Sequence, residues 1–325
     1  MRFLSIPAAV VISLALLVPA AAAQGGSALL IEKPGAVSEA KGKTAKDGNL
    51  VAISPSSKID RIQVYEITYL STGLKVNGKL FVPPEATPEN RLPAVVFNHG
   101  GVGGVPGPAV TRCAQLAAGG FVVLAPSYRG EDGSEGEVEV AAGEVDDALN
   151  AVVLLRGLSY VLPGKIAMAG TSHGGIITLL AIQRDPSIAA AVCAYGVTNT
   201  FTWYQFLLDY GHDVTDPLSR KVYGNGPEDK PDAFRSRAPA LDAHLIKTPL
   251  LLLYGEDDNI VPPSQATELA KALDSNDIPY ELHIFPGVGH GLLFFMDPAR
   301  RSKEEIDTSS QAWEILKTFI KNNLE

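Results

Sequence analysis

Cysteine is scarce in this chain. Two thiols among 325 residues, Cys113 and Cys193, are too few for the multi-bridge framework of a small secreted scaffold, so a hydrophobic core must carry the stability. Both are expected to be buried free thiols, because a disulfide would require their Cα atoms to lie within roughly 7 Å. Basic side chains are also in deficit. Lys and Arg number 27 against 36 Asp and Glu, a formal net charge of −9, and such a surface repels phosphate backbones. Nucleic acid is therefore excluded as a partner. The six histidines include no His-x-x-x-His or His-Glu-x-x-His spacing, and neither cysteine has zinc-ligand spacing, so no metal is expected. No repeat of fixed period points to a propeller or solenoid. Beyond the first residues, no apolar run is long enough to span a membrane.

What is present describes a folded α/β chain. Hydrophobic residues make up 46%, enough for a sizeable core, and 31 Gly with 23 Pro suit many short turns. Residues 1–23 read as a signal peptide: Arg2, an apolar stretch from Ile6 to Val18, then the small-residue end Ala21-Ala22-Ala23. The mature protein is expected to begin after Ala23, to be exported, and to keep no stable membrane insertion. Residues 24–60 are rich in Gly, Ser, Lys and Ala without apolar periodicity and are expected to form a flexible arm. The folded domain is then 61–325.

Period-two runs at Gln63–Leu70 and Leu74–Val82, separated by Ser71-Thr72-Gly73, predict a hairpin at a sheet edge. Short continuous apolar runs follow at Ala94–Phe97, Phe121–Ala125, Lys165–Gly170, Ala189–Tyr195, Pro249–Tyr254 and Tyr280–Phe285. They alternate with helix-length segments at Val138–Leu155, Gly174–Arg184, Ser264–Leu273 and Ser309–Asn322. Strands buried on both faces read this way, so the expectation is a mostly parallel central sheet flanked by helices. The stretch 199–245, with Trp203, Tyr204, Phe206, Tyr210, Tyr223 and Phe234 among charges and prolines, breaks the alternation and reads as an inserted helical cap. Its aromatics suit a cap core and an acyl pocket equally. Glu144 and Asp147 are expected on a solvated helix face, and Arg129 with Glu131-Asp132 to form a structural ion pair.

The chemistry points to Gly170-Thr171-Ser172-His173-Gly174. Gly-x-Ser-x-Gly alone is a weak signal in a glycine-rich chain. Between an apolar strand and an apolar helix it specifies a tight turn that projects Ser172 Oγ above the sheet and aims the His173 N–H at the reacting oxygen. A neutral hydroxyl needs a base, and the base needs an acceptor to fix its tautomer. Glu256, Asp257 and Asp258 follow the strand Leu250–Tyr254, and His290 lies in the flexible loop after the last strand. Open α/β sheets build their sites beyond such strand ends. Serine, then acid, then histidine is the order of an α/β-hydrolase. Ser134 lacks the first elbow glycine, because Asp132 stands there. His212, His244 and His283 read as surface or core histidines.

The chain resembles the catalytic domain of the prolyl oligopeptidase family of α/β-hydrolases, with dienelactone hydrolase-like enzymes as close relatives. The resemblance runs from about Gln63 to the C-terminus on four blocks: Asn98-His99-Gly100-Gly101, Ser127-Tyr128-Arg129-Gly130, Gly170–Gly175, and Lys247-Thr248-Pro249 through Pro262 with the later Gly289-His290-Gly291. It implies Ser172 as nucleophile, His290 as base and, from the placing of Gly255 and Val261-Pro262, Asp258 as acid. It also implies an oxyanion hole from the His173 N–H and one N–H near Gly101 or Val102, with His99 shaping that loop. Some relatives use a tyrosine hydroxyl there; none occurs in His99–Pro106, which favours a backbone donor. No cofactor is implied. The substrate would be a small ester or a short peptide. Only about 40 residues separate the signal from the first strand, so a peptide-selecting propeller is not expected and small esters become the alternative substrate. A noncatalytic α/β-hydrolase fold used for binding is the alternative from another class.

Overall fold

Alternation in the sequence first lays down an antiparallel ribbon. In the computed structural model, which describes residues 46–325, β1 (Leu50–Ile59), β2 (Ile62–Ser71) and β3 (Leu74–Val82) pair in that order. Thr72 and Gly73 take φ of 47° and 82°, the primed-turn geometry that matches the twist of the flanking strands. β1 corrects the expectation of a flexible arm through residue 60. Its side chains are mostly exposed and carry no burial pattern, yet its backbone pairs with β2 from Leu50↔Tyr69 to Ile59↔Ile62. The open edge of β2, not a buried face, orders it. The expected signal segment 1–23 and residues 24–45 of the arm lie outside the described residues.

The chain then alternates: β4 (Leu92–Asn98), α1 (Gly107–Ala118), β5 (Val122–Pro126), α2 (Gly143–Gly157), β6 (Val161–Thr171), α3 (His173–Arg184) and β7 (Ala190–Ala194). Three short helices follow, α4 (Thr200–Tyr210), α5 (Pro217–Tyr223) and α6 (Pro231–Arg235), with a 3₁₀ segment at Pro239–Leu245. β8 (Leu250–Gly255), α7 (Ser264–Asp274), β9 (Tyr280–Phe285) and α8 (Lys303–Leu324) complete the fold. α8 starts six residues before the expected Ser309 because Ser302 and Glu305 form a reciprocal capping box.

All nine strands share one sheet in the order β1-β2-β3-β5-β4-β6-β7-β8-β9, with the six strands from β5 to β9 parallel. This is the α/β-hydrolase architecture. Val95, Val123, Ala167, Val192 and Leu251 are fully buried because helices cover both faces, which is why these strands read as unbroken apolar runs. From β4 the chain steps outward to β5 and then returns past β4 to β6. The loops after β4 and β6 therefore diverge above a crevice where strand order reverses.

The segment 199–245 has an apolar centre of its own: Tyr204, Val222, Tyr223 and Phe234 are buried, and Phe201 and Trp203 pack against them. These aromatics are cap core. Cys113 and Cys193 are buried and unpaired, and burial pushes the Cys193 thiol up to about 12.

Two carboxylates expected on a solvated helix face are buried instead. Glu144 accepts the N–H groups of Glu139, Val140 and Ala142, so its carboxylate caps the turn that delays α2 until Gly143. Asp147 accepts from Arg129 Nε at 3.0 Å and Nη2 at 2.9 Å, from the Arg129 N–H at 2.9 Å and from Ser71 Oγ at 2.6 Å. The partner of Arg129 is thus Asp147, with Glu139 at 3.3 Å, and not the neighbouring Glu131-Asp132 pair. Removing one side of a buried, hydrogen-bonded pair strands the other charge. Asp147→Ala is expected to cost about 3–5 kcal/mol, read as a lower urea midpoint at unchanged m-value.

Candidate active site

The tightest turn in the sheet lies between β6 and α3. Ser172 sits there at φ 52° and ψ −117°, a strained conformation for a residue with a Cβ. Its N–H donates to Ala194 O at 2.9 Å and its carbonyl accepts from Gly175 N at 2.8 Å. The glycines make the turn possible. A Cβ on Gly170 would run into the Gly174 carbonyl, and one on Gly174 would run into the Asn98 carbonyl at the end of β4. α3 begins at His173, so the N–H of His173 has no carbonyl within the helix to accept it.

Three side chains distant in sequence meet at this turn. His290 Nε2 lies 3.0 Å from Ser172 Oγ, and His290 Nδ1 lies 2.8 Å from Asp258 Oδ2. Asp258 is buried, and its other oxygen accepts the N–H groups of Ile260 and Val261, both at 2.9 Å. With Asp258 accepting at Nδ1, the proton of a neutral imidazole sits there and Nε2 is left to accept from Ser172. Glu256 and Asp257 are exposed, and their N–H groups donate to Phe285 O and Val288 O. Those bonds, and a Gly255 whose Cβ would strike the Val288 carbonyl, hold the acid loop against the histidine loop. The Tyr195 ring supports His290 edge-on, with centroids 5.0 Å apart.

The glycine-rich loop after β4 closes the crevice. His173 carries two structural bonds that sequence reasoning missed. Its Nε2 accepts the Ala141 N–H at 3.0 Å, which leaves Nδ1 to donate to Gly101 O at 3.0 Å. Burial lowers the His173 pKa, in keeping with this neutral, doubly bonded ring. The bond fixes the Gly101–Val102 peptide, and because that peptide is trans the Val102 N–H points away from the ring. Val102 itself is 53% exposed. His99 is buried beneath the loop, its Nδ1 3.2 Å from Gly100 O, and burial lowers its pKa to about 4.

The cap reaches the acid loop as well. Trp203 Nε1 donates to Ile260 O at 2.8 Å, and His212 Nε2 donates to Asn259 O at 2.7 Å. No sequence motif marks either contact. His244 is exposed, and His283 lies 3.9 Å from Glu281, away from the turn. Among the described residues, no group of three or more His, Cys, Asp and Glu is placed to hold a metal, and no helix is long and apolar enough to cross a membrane.

The sequence pattern of the prolyl oligopeptidase family matches residues 109–313. Over 73% of this chain and 88% of its own length, the uncharacterized peptidase YtmA of Bacillus subtilis is 31% identical. The chain belongs to the prolyl oligopeptidase family. It is thereby a serine hydrolase of peptidase type. A puromycin-hydrolyzing peptidase of Mycobacterium tuberculosis is similar in structure, with 28% identity and a TM-score of 0.64 over 78% of this chain. This chain spans only 38% of that enzyme. An acetyl xylan esterase from Paenibacillus sp. R4 shares the fold, with a TM-score of 0.65 at 19% identity, over 84% of this chain and 88% of the esterase. The proteins similar to this chain therefore include both short and much longer ones.

Proposed function

We propose that this chain hydrolyses small esters and short peptide amides through an acyl group carried on Ser172. The observation that carries the reading is the continuous relay Asp258–His290–Ser172, at 2.8 Å and 3.0 Å. His290 takes the Ser172 proton as Oγ attacks the carbonyl and gives it to the leaving alcohol or amine. It then deprotonates the water that cleaves the acyl group from Oγ. Asp258 holds the imidazole in the required tautomer and stabilises its charged form. The His173 N–H and an N–H of the Gly101–Val102 region would face the developing oxyanion, where one donor is worth about 10²–10³ in turnover.

Export is part of the same proposal, on the strength of Arg2, the Ile6–Val18 run and Ala21-Ala22-Ala23. The leading residue of protein recovered outside the cytoplasm is expected to be Gln24; an intact Met1 terminus there would count against it.

A fluorophosphonate probe is expected to label wild type and leave Ser172→Ala unlabelled. Asp258→Asn should lower kcat by about 10⁴, as loss of the tautomer-fixing acid does elsewhere, whereas Asp257→Asn should stay within about twofold. The reverse pattern would move the acid by one position. On short-chain aryl esters beside proline-containing peptide amides, turnover of both is expected, with esters faster because their leaving groups are better. No turnover of either class would end the reading.

A further inference from the structure

The loop His99–Val105 has to be held from outside. It contains four glycines, and Gly101, Gly103 and Gly104 take φ of 73°, 111° and 93°, so the free chain has much conformational freedom to lose. Two acids from the turn after β5 do the holding. Asp132 Oδ2 accepts the Val105 N–H at 3.1 Å and Ser127 Oγ at 2.8 Å. Glu131 Oε2 accepts the Gly104 N–H at 2.6 Å. A Cβ on Gly104 would strike the Asp132 carboxylate, so the loop can approach this closely only as glycine.

Glu131 differs from Asp132 in its surroundings. It is 3% exposed, and its Oε1 has no hydrogen-bond partner among the described residues. Its Oε2 lies 3.6 Å from His99 Nε2, which also lacks a partner. His99 Nδ1 faces the Gly100 carbonyl and must donate, so Nε2 presents a lone pair. A carboxylate and a lone pair face to face repel, so the contact favours a proton on one of the two. Burial pushes the Glu131 carboxyl up to about 7, against the Gly104 and Gly103 N–H groups, and Glu144 and Asp132 push the same way as burial. On the imidazole side burial and His173 disfavour the charged ring, while the Gly100 and Ser127 carbonyls and Asp132 favour it, and the Tyr128 ring lies 4.5 Å from the His99 ring. Of the two groups, the carboxyl is the one whose protonated form burial favours.

We propose that Glu131 is a positioning residue for acyl transfer: its buried carboxyl, bonded to the Gly104 N–H and facing the His99 imidazole, sets the glycine-rich loop against Ser172 before substrate arrives. The inference rests on Ser172 being the nucleophile. Gly100 ties the loop to that serine, since a Cβ there would lie 3.1 Å from Ser172 Cβ. An oxyanion donor held loosely costs the transition state more than the bound substrate, so the loss should fall on kcat.

The test is steady-state hydrolysis of an aryl ester by the purified chain and three variants, with fluorophosphonate labelling of each. Glu131→Ala is expected to lower kcat about 10- to 100-fold with KM within about twofold. Glu131→Gln keeps, at unchanged length, a side-chain oxygen to accept the Gly104 N–H, and should stay within about threefold of wild type. Glu131→Asp keeps a carboxyl one methylene short and should resemble alanine, which decides the matter if the alanine variant does not fold. Wild-type kcat in both the alanine and aspartate variants, or a glutamine variant as slow as alanine, overturns the proposal. An unlabelled wild type would instead overturn the nucleophile assignment beneath it.

Discussion

A single strained residue organises the molecule. Ser172 holds a positive φ that costs an ordinary side chain on the order of 1–3 kcal/mol, and such a conformation persists only where the surroundings over-determine it. Here β6, α3 and β7 all bond to the turn or pack on it, through Ser172 N to Ala194 O and Gly175 N to Ser172 O. The glycines that relieve the turn also set its neighbours. Gly174 lies so close to the Asn98 carbonyl that the end of β4, and with it the glycine-rich loop, is docked beside the serine. Strain at Ser172 and closeness of the glycine-rich loop are thus one packing solution. Changing either glycine would disturb both.

Asp258 and His290 are brought to that turn by loops tied to each other and to the cap. Asp257 N to Val288 O and the close approach of Gly255 to that carbonyl join the loops after β8 and β9, so the segments that carry Asp258 and His290 are tied together. Trp203 and His212 grip the acid loop from α4 and its C-terminal end. Arg237, from the far end of the cap, donates to the carbonyls of Val140 and Glu139, next to the Ala141 N–H that anchors His173. The cap therefore touches both sides of the crevice. Repacking of its Tyr204–Tyr223–Phe234 core would be felt at the acid loop and at the His173 ring together.

How much of this the sequence discloses follows a physical line. The parallel strands were legible because burial on both faces leaves an unbroken apolar run, and the Ser172 turn because glycine spacing between a strand and a helix has few other uses. Asp258 was distinguishable from Glu256 and Asp257 only through the family block around it; the structure puts Asp258 alone among the three inside, with the other two exposed. β1 was illegible because a strand ordered by its neighbour's edge needs no pattern of its own. Glu144 and Asp147 are expected on a solvated face, and Glu131 beside Arg129, for a related reason. A charged residue in a helix or turn reads as solvated unless its partner is known, and their partners come from loops and strands that only folding brings near. The side-chain bonds of His173 were equally hidden, since a histidine following an elbow serine carries no mark of what its ring will meet.

The acids around the crevice share one function that bears on the charge of the whole chain. Loops at the C-terminal ends of parallel strands have left the sheet ladder, yet their N–H groups are partly buried and need acceptors. Glu144 serves three such groups, Asp258 two, and Glu131, Asp132 and Glu139 one each. A carboxylate suits this work because it offers several lone pairs and forms the stronger, charge-assisted bond. Part of the excess of 36 acidic over 27 basic side chains is thereby spent on loop architecture around the crevice. It follows that the acidity of this chain is not only a surface property repelling polyanions. Around Ser172 it is the means by which short, glycine-rich segments hold a fixed shape without a ladder to hold them.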